Sequence, residues 1–348
     1  MFISMRSVED GCVTLKQLKY LLGVVDNGLN ITAAAERLYT SQPGISKQLR
    51  LLEQELGVQI FSRKSKSLTS VTPAGVTVVE YARKILRDVE NIRSVGKDLM
   101  AEQEGRLSIA TTHTQARYVL PDIIKQFHQR FPNVNLELHQ GTSEQIEALV
   151  AENRVDFAIA TDSRNLFPEL NLLPCFHWDR IVLAKKDHEL ADEKTPLTLD
   201  ELAKHPLITY VFSSKHESSF LRALTDRSLE PNVVFTARDA DVIKTYVRMG
   251  MGVGVIAPMA LQCEDLEDLY AANATGLFPR VTTWLGVPRD RALRQYMLDF
   301  ISLFAPHWPE HAIQQATTAE SQEVVDRLAE DIDLPTRTGC SKGLPVAA

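Results

Sequence analysis

The chain has 348 residues and a net charge of −7; 44% of its residues are hydrophobic and 24% are charged. This length allows two or more full-sized domains, and the composition is ordinary for a globular protein. There is no run of about 18 apolar residues that would predict a membrane span, and the N-terminus lacks the apolar core of a secretory signal. We therefore expect a cytoplasmic protein in which residues 1–13 are a flexible extension or precede the true start.

The first two helices are predicted from spacing and from capping residues. Residues 14–26 place leucines and valines at helical intervals. Asn30 and Thr32 are residue types that begin a helix. The small residues Ala33–Ala35 would then allow another helix to cross closely.

A third helix and a basic hairpin follow. Ser41 can cap this helix, and Pro43 is tolerated in its first turn because that N–H has no intrahelical partner. Gly57 is suited to end the helix, and Phe61 to anchor a hairpin. The cations of the hairpin are Arg63, Lys64 and Lys66. This order predicts an all-α winged helix-turn-helix domain over residues 14–71. The alternative is an ordinary pair of amphipathic helices with a solvated charged face.

The polar faces of these elements suit base edges and phosphates in a major groove. The predicted DNA-binding residues are Thr32, Ser41, Gln42, Pro43, Ser46, Lys47, Arg50, Arg63 and Lys64. Residues 14–100 hold 13 lysines and arginines against 8 acidic residues, a net charge of +5, whereas residues 101–348 carry −11. This asymmetry predicts double-stranded DNA as a partner at one end of the molecule and argues against a non-specific DNA binder.

The stretch AAERLYTSQPGISKQLRLLEQELGVQIFSR, followed by LTSVTPAG, resembles the N-terminal domain of the LysR-type transcriptional regulators. The shared pattern is an alanine-rich helix, a Ser-Gln-Pro start, a Leu-Gly stop, a Phe-x-Arg wing and a Thr-x-x-Gly segment that begins a long helix. Gly44 fills the place where the family usually has a small residue. The resemblance implies promoter DNA and RNA polymerase as partners.

Residues 72–100 form one long helical pattern that starts with a capping threonine and a first-turn proline. A helix of roughly 27 residues would be about 40 Å long, which exceeds the core of a small domain. Its apolar stripe predicts antiparallel pairing with the same helix of a second chain, and a linker helix packed on its own chain is the alternative. The resemblance implies a homodimer that assembles into a homotetramer.

From Gly105 onward strands alternate with helices, which predicts parallel sheets covered by helices, including one helix over residues 116–131. A first lobe is predicted over residues 105–176 and 280–306, and a second over residues 177–279. The predicted fold class is α/β: an N-terminal all-α winged helix-turn-helix, a long linker helix and a two-lobed effector domain. This domain resembles the periplasmic binding-protein fold, whose cleft holds a small ligand.

The segment ATTHTQARY contains the candidate effector site. Thr112, Thr114 and Gln115 lie where a strand ends and a helix begins, and free N–H groups there favour an anion. Thr161 ends another strand of the same lobe, at the edge of the sheet where open parallel sheets bind ligands. Helix capping is the alternative for the threonines, and the residues alone leave both interpretations open.

Several segments narrow the resemblance to the CysB/Cbl branch of the family, which is the cysteine-regulon branch. The matching segments are TTHTQARY, HQG at 139–141, DFAIAT at 156–161, LPCFHW at 173–178 and ARDADVIKTYVRMGMGVGVIAPMA at 237–260. The branch controls sulfur assimilation genes and responds to sulfate-like anions, O- or N-acetylserine, or adenosine phosphosulfate. The resemblance therefore implies effector contacts from Thr112, Thr114, Gln115 and Thr161, with Trp178 at the edge of the cleft.

A further hydroxyl in this branch comes from a loop of the second lobe. The corresponding segment here, TYVFSSKHESSF, departs from the branch pattern. Ser213 or Ser214 is the candidate there, and Lys215 would add a positive charge. A regulator of another pathway, such as sulfonate use, with a different effector is the alternative.

The remaining expectations are mostly negative. No paired acid and base or nucleophile stands out, so a binding-protein-fold enzyme is the less favoured class, and we expect no catalytic residue and no cofactor. The four cysteines, at 12, 175, 263 and 340, are scattered without CxxC spacing, so we expect reduced thiols and no metal site. Residues 310–348 are polar and small, and we expect disorder there apart from a short helix near 320–328.

Overall fold

The computed structural model describes residues 13–64, 67–98, 105–152, 154–161, 167–192, 197–214, 218–289, 293–340 and 344. Two compact units divide the chain, residues 1–101 and 102–348. Most of the N-terminal extension lies outside the described residues, as do Lys66 and Lys215.

The first unit has the predicted order of helices and hairpin. Its elements are α1 (Leu15–Asp26), α2 (Ile31–Arg37), α3 (Gln42–Leu56), β1 (Phe61–Lys64), β2 (Ser67–Val71) and α4 (Pro73–Asp98). The Asn30 side chain accepts hydrogen bonds from the N–H groups of Thr32 and Ala33 and so begins α2. Gly57, at φ +66°, ends α3 in the left-handed conformation that glycine adopts without strain. The winged helix-turn-helix fold is thereby confirmed.

The apolar faces of these helices meet in one core. Leu21, Leu52 and Phe61 are fully buried there, together with Ala82 from α4. Arg83 of α4 also pairs with Asp26 of α1 at 2.5 Å. One face of α4 therefore packs on its own domain, and other apolar side chains of this helix remain exposed.

The second unit contains two α/β lobes. The chain first forms β3 (Gly105–Thr111), α5 (His113–Tyr118), α6 (Leu120–Arg130), β4 (Val134–Gln140), α7 (Ser143–Ala151), β5 (Phe157–Thr161) and β6 (Leu170–Trp178). It continues through β7 (Ile181–Lys185), α8 (Leu199–Leu202), β8 (Leu207–Tyr210), α9 (Ser219–Thr225), β9 (Val233–Ala237), α10 (Ala240–Arg248), β10 (Val253–Ile256) and β11 (Leu269–Asn273). It ends with β12 (Val281–Pro288), α11 (Gln295–Phe304), α12 (Glu310–Thr317) and α13 (Gln322–Glu330).

Each lobe is built on a mixed five-stranded sheet. The strand order is β4-β3-β5-β12-β6 in lobe I and β11-β7-β10-β8-β9 in lobe II. In lobe I, β3 pairs in parallel with β4 and β5, and β12 returns antiparallel between β5 and β6. The two-lobed architecture is therefore confirmed. Strands β6 and β11 are absent from the prediction, and β6 extends lobe I to Trp178.

The helix predicted over residues 116–131 is in fact two helices, α5 and α6, that meet at Val119. Pro121 has no N–H to donate to the carbonyl of Arg117, so a single helix is interrupted there. As a result α5 is short, and its N-terminus lies directly after β3.

The prediction of disorder after residue 309 is wrong for the described part of that segment, although the short helix expected near 320–328 is present as α13. Helices α12 and α13 bury Ile313, Ala316 and Val325 in the core of lobe I. The Asn171 amide donates hydrogen bonds to the carbonyls of Ala316 and Ala319. The tail is polar in overall composition, but its few apolar residues recur at helical spacing and cover the sheet.

The expectation of four reduced thiols is also wrong. Cys263 and Cys340 form a disulfide with their Cα atoms 5.2 Å apart, across 77 residues of sequence. Cys175 is a free thiol, and burial raises its pKa. Sequence spacing does not reveal a pair that is brought together only by the fold.

Candidate functional site

A groove of about 550 Å³ lies between α3 and the hairpin in the first unit. Six predicted DNA-binding residues line it: Gln42, Pro43, Ser46, Lys47, Arg50 and Arg63. Gln54, which was not predicted, also lines the groove, two helical turns beyond Lys47. The polar and cationic side chains therefore converge on one concave surface. All the residues that line it belong to the first unit.

The other three predicted residues lie nearby without lining the groove. Ser41 is exposed, and its hydroxyl accepts the N–H of Gly44 at 3.3 Å, so it caps α3. Thr32 is exposed in the first turn of α2, and Lys64 is exposed at the end of β1. Within the groove, the Gln42 amide donates to the Ser46 hydroxyl at 3.2 Å, which holds these two side chains side by side.

Arg63 has a structural partner as well as a place in the groove. Its guanidinium lies 2.6 Å from Oε2 of Glu53, a carboxylate that is only 8% exposed. The other oxygen of Glu53 accepts the N–H groups of Ile60 and Phe61. Arg63 thus neutralises a buried carboxylate that joins α3 to the hairpin, and it also lines the groove.

The candidate effector site is built around α5 of lobe I. Thr112 caps this helix, with its hydroxyl 3.5 Å from the Gln115 N–H. Thr114 does not cap it. Its hydroxyl instead donates to the phenol oxygen of Tyr210, on lobe II, at 3.4 Å. The capping interpretation therefore accounts for Thr112 and not for Thr114.

Gln115 and Trp178 meet at a residue that was not predicted. The Gln115 amide and the Trp178 indole N–H both donate to the Thr283 hydroxyl, at 3.3 and 3.2 Å. Thr161 is paired in register with Thr283 across β5 and β12. These four side chains are all buried, so the fold brings together residues separated by up to 168 positions in the sequence.

One acceptor in this cluster has no hydrogen-bond partner within the described parts of the chain. Gln115 is 1% exposed, and its Oε1 atom is buried without a partner. An unpaired buried polar atom costs free energy comparable to a lost hydrogen bond. Rotation of the amide by 180° would direct its NH₂ group into the same space. The hydrogen-bonding capacity of the cluster is therefore not fully used by the described side chains.

The lobes also meet through ionic contacts beside α5. Asp241 of α10 accepts a hydrogen bond from the Tyr118 hydroxyl at 2.7 Å and pairs with Arg117 at 2.6 Å. Lys244 is buried and lies 3.1 Å from Asp241 and 2.9 Å from Asp265. Burial opposes ionisation of Asp241, but the hydrogen bonds from Tyr118 and Lys244 hold its pKa below the ordinary value.

The two serines predicted in lobe II follow Tyr210 in a short turn, Val211–Ser214. Ser213 is buried, and its carbonyl accepts the Ser218 hydroxyl at 2.6 Å. The Ser214 side chain lies outside the described part of the structure. Tyr210 is fully buried, and desolvation raises its pKa to about 12. Its position at the carboxyl end of a parallel strand, β8, could have identified it from sequence.

Within the described ranges, no group of three or more His, Cys, Asp or Glu side chains could hold a metal ion. The helices that the structure describes include none both long and apolar enough to cross a membrane.

Two family profiles match the chain. The one described as "Bacterial regulatory helix-turn-helix protein, lysR family" matches residues 15–76. The one described as "LysR substrate binding domain" matches residues 101–309. The two matches coincide with the winged domain and with both lobes.

Named relatives extend the likeness over most of the chain. The HTH-type transcriptional regulator CysB of Haemophilus influenzae is 43% identical, covering 93% of this chain and 99% of that protein. The HTH-type transcriptional regulator SsuR of Burkholderia cenocepacia is 41% identical, covering 86% and 97%. The crystal structure of the cofactor-binding domain of the Cbl transcriptional regulator matches with a TM-score of 0.59 and 37% identity, covering 63% of this chain and 96% of that domain.

Proposed function

The chain belongs to the LysR family of bacterial transcriptional regulators, and we propose that it controls sulfur assimilation and cysteine biosynthesis genes in response to a small effector. The observation that supports this most is the 43% identity to CysB over 93% of the chain. The relatives with which it aligns are named regulators, so we assign it no catalytic role. We propose that the protein acts in the cytoplasm, where promoter DNA is transcribed.

The first unit would bind promoter DNA with α3 in the major groove. Gln42 and Ser46 present amide and hydroxyl groups suited to base edges. Lys47 and Arg50 line the same groove and suit phosphates or guanine. Lys64 on the wing would contact the adjoining backbone. In this arrangement Gln42 contributes to sequence choice, while the cations contribute salt-dependent affinity.

The effector would bind beside α5, between the two lobes. Thr112, Thr114 and Gln115 offer hydroxyl and amide donors together with the N–H groups of the helix N-terminus, and neutral donors of this kind bind sulfate or a carboxylate. The unpaired Oε1 of Gln115 supports a ligand there, because a donor group or a rotated amide would satisfy it. We propose that Thr161, Trp178, Ser213 and Ser214 complete the site, with Tyr210 and Thr283 holding its donors in place.

Binding would change how the lobes contact each other. An anion that accepts the Thr114 hydroxyl competes with Tyr210, because one hydroxyl has one proton to donate. A ligand shifts an equilibrium only by its differential affinity for the two states. We propose that the bound and unbound arrangements of α5 against lobe II are those two states, and that they set the affinity for the operator.

Assembly would use the exposed side of α4. Tyr81, Ile85 and Ile92 are 64%, 42% and 73% exposed, at spacings that place them along one side of the helix. A second copy of the helix, antiparallel to the first, would cover them. We propose that such homodimers join through their effector domains into a homotetramer that contacts RNA polymerase at the promoter.

A thermal-shift screen of the full-length protein tests the assignment of the effector. The probes are sulfate, thiosulfate, adenosine phosphosulfate, O-acetylserine and N-acetylserine. Stabilisation by one of them follows from binding linkage. An aliphatic sulfonate is screened beside these probes, and stabilisation by the sulfonate alone would favour the second candidate, a regulator of sulfonate use. That candidate is kept because the segment TYVFSSKHESSF departs from the branch pattern. No stabilisation by any probe would contradict both.

A further inference from the structure

The part of the tail that follows α13 crosses from lobe I to lobe II. We refer to residues 331–340 as the C-terminal strap. On lobe I, the His177 N–H donates to the Pro335 carbonyl at 2.9 Å, and the Arg337 N–H donates back to the His177 carbonyl at 2.8 Å. Thr336 forms a parallel bridge with His177. The strap thus pairs with the edge strand β6 of lobe I through one bridge.

The strap is held to lobe II in three further ways. The Cys340 N–H donates to the Leu261 carbonyl at 3.1 Å. Gly339 approaches the backbone so closely that a Cβ there would lie 1.8 Å from the Pro258 carbonyl oxygen, so no side chain fits. The disulfide joins Cys340 to Cys263. Because α12 and α13 anchor the strap in the core of lobe I, the disulfide is a covalent link between the two lobes.

This link adds to the two existing connections between the lobes. The chain crosses once between β6 and β7 and once between β11 and β12. The closed disulfide makes a third covalent connection between the lobes, through the strap. The strap also forms hydrogen bonds with each lobe. Any movement that separates the lobes at this edge has to stretch the strap. With the disulfide open, only hydrogen bonds and packing resist that movement.

The strap contacts a segment that also contacts α5. Residues 257–261 form a short turn against which Gly339 and Cys340 pack, and this turn contacts α5 on its other side. The Tyr210 hydroxyl accepts the Ala257 N–H at 3.2 Å, and Lys244 donates to the Ala260 carbonyl at 3.1 Å. The strap and Tyr210, the partner of Thr114, therefore both contact residues 257–261. A displacement of the strap can reach α5 through these residues.

We propose that Cys263–Cys340 is a reversible redox site, and that its reduction by a dithiol releases the strap from lobe II and loosens the contacts between the lobes around α5. Cys263 is exposed and Cys340 is half-buried, so we expect the reductant to attack the sulfur of Cys263. One thiolate of the dithiol bonds to Cys263 and displaces the Cys340 thiolate, which takes up a proton. The second thiol of the reductant then displaces Cys263. The dithiol leaves as a disulfide, and two electrons have passed to the protein.

The first test is chemical, on the full-length protein prepared without reductant. Differential alkylation followed by mass spectrometry should find Cys263 and Cys340 protected, and both should become reactive together as dithiothreitol is added to the folded protein. Re-oxidation should restore the protection. Alkylation of both residues before any reductant is added would overturn the proposal. So would a disulfide that opens only when the protein unfolds.

The second test is hydrogen exchange in the oxidised and reduced protein. The amides of Arg337 and Cys340, and those within residues 257–261, should exchange faster by about tenfold or more after reduction. Cys340→Ser should exchange fast with or without dithiothreitol. Gly339→Val, which leaves both thiols in place, should do the same because the strap no longer fits. Cys12→Ser is the matched control and should behave as the wild type.

Identical amide exchange rates in the oxidised and reduced wild-type protein would overturn the proposal that reduction loosens the contacts around α5. Neither test uses DNA or an effector. Failure of the proposed regulatory function would therefore leave both results unchanged, and failure of the redox site would leave the promoter and effector assignments standing.

Discussion

The hydroxyl of Thr114 in lobe I lies 3.4 Å from the phenol oxygen of Tyr210 in lobe II, so α5 is hydrogen-bonded to the opposite lobe. The same phenol oxygen accepts the Ala257 N–H. Three segments of the effector domain therefore meet at one buried tyrosine, beside the helix that holds the candidate donors for an anion.

Thr114→Ala should abolish the response to effector and leave ligand-free operator binding mostly intact. The variant loses one hydrogen bond between the lobes, a contribution of about 0.5–1.5 kcal/mol, and it loses a donor to the anion. Isothermal titration with the stabilising probe checks the loss of binding. Thr198→Ala is the matched control: it removes the cap of α8, outside the site, and should lower stability by about 1 kcal/mol with effector affinity unchanged. Unaltered effector affinity in Thr114→Ala would show that this hydroxyl is outside the site.

Arg63→Ala and Lys64→Ala should differ in stability although both weaken DNA binding. Arg63 neutralises Glu53, and its loss leaves a buried carboxylate that still accepts two N–H groups. We expect the winged domain to lose about 1–3 kcal/mol in Arg63→Ala and to be unaffected in Lys64→Ala. Thermal unfolding and binding to duplex DNA should be measured for both variants. Equal unfolding temperatures would contradict the structural role of Arg63.

Gln42→Ala and Lys47→Ala should separate sequence choice from general affinity. Gln42→Ala should reduce discrimination between operator and mutated operator by about 1–3 kcal/mol. Lys47→Ala should weaken binding to all sequences and reduce the slope of log affinity against log salt by about 1. Salt titrations on cognate and scrambled duplexes distinguish the two effects. If both variants change only the salt slope, Gln42 does not contact bases.

The ionic contacts between the lobes should weaken in acid. The hydrogen bonds from Tyr118 and Lys244 outweigh burial and hold the pKa of Asp241 below its ordinary value of 3.8. A carboxyl with a lowered pKa in the folded state stabilises the fold above its unfolded pKa, and that contribution is lost as the pH falls through the folded pKa. Thermal unfolding between pH 5 and pH 3 should therefore show a smaller acid-induced loss in Asp241→Asn than in the wild type. An equal loss of stability in both proteins would show that Asp241 does not contribute to the acid sensitivity.

The tail should be required for the stability of lobe I. Ile313 is 1% exposed in the core of that lobe, so Ile313→Ala should cost about 2–5 kcal/mol. Gln314→Ala, on the exposed side of the same helix, is the control and should leave the unfolding temperature unchanged. Chemical denaturation of both variants gives the comparison. Equal midpoints would mean that α12 is not part of the folded core.

Local features of the fold were predictable from sequence, and features made by distant residues were not. Asn30, Ser41 and Gly57 act on neighbours within a few positions, so the helix ends follow from residue type. Thr283 joins Gln115 to Trp178 only after β12 returns to lobe I. Cys263 likewise contacts Cys340 only in the folded chain, because the tail must first pack on lobe I to bring Cys340 to lobe II. The mean composition of the tail does not predict its fold, because the apolar face of α12 and α13 consists of few residues.

Promoter binding by the full-length protein, measured across an effector titration, tests the central claim most directly. The duplex is promoter DNA from a sulfur assimilation operon, and the titrants are the five probes named above. A saturable change in affinity of about fivefold or more is expected with one of them. Gln115→Leu should bind the same duplex equally well without ligand and show no response. No change with any probe, or the same change in Gln115→Leu, would contradict control of DNA binding from the α5 site.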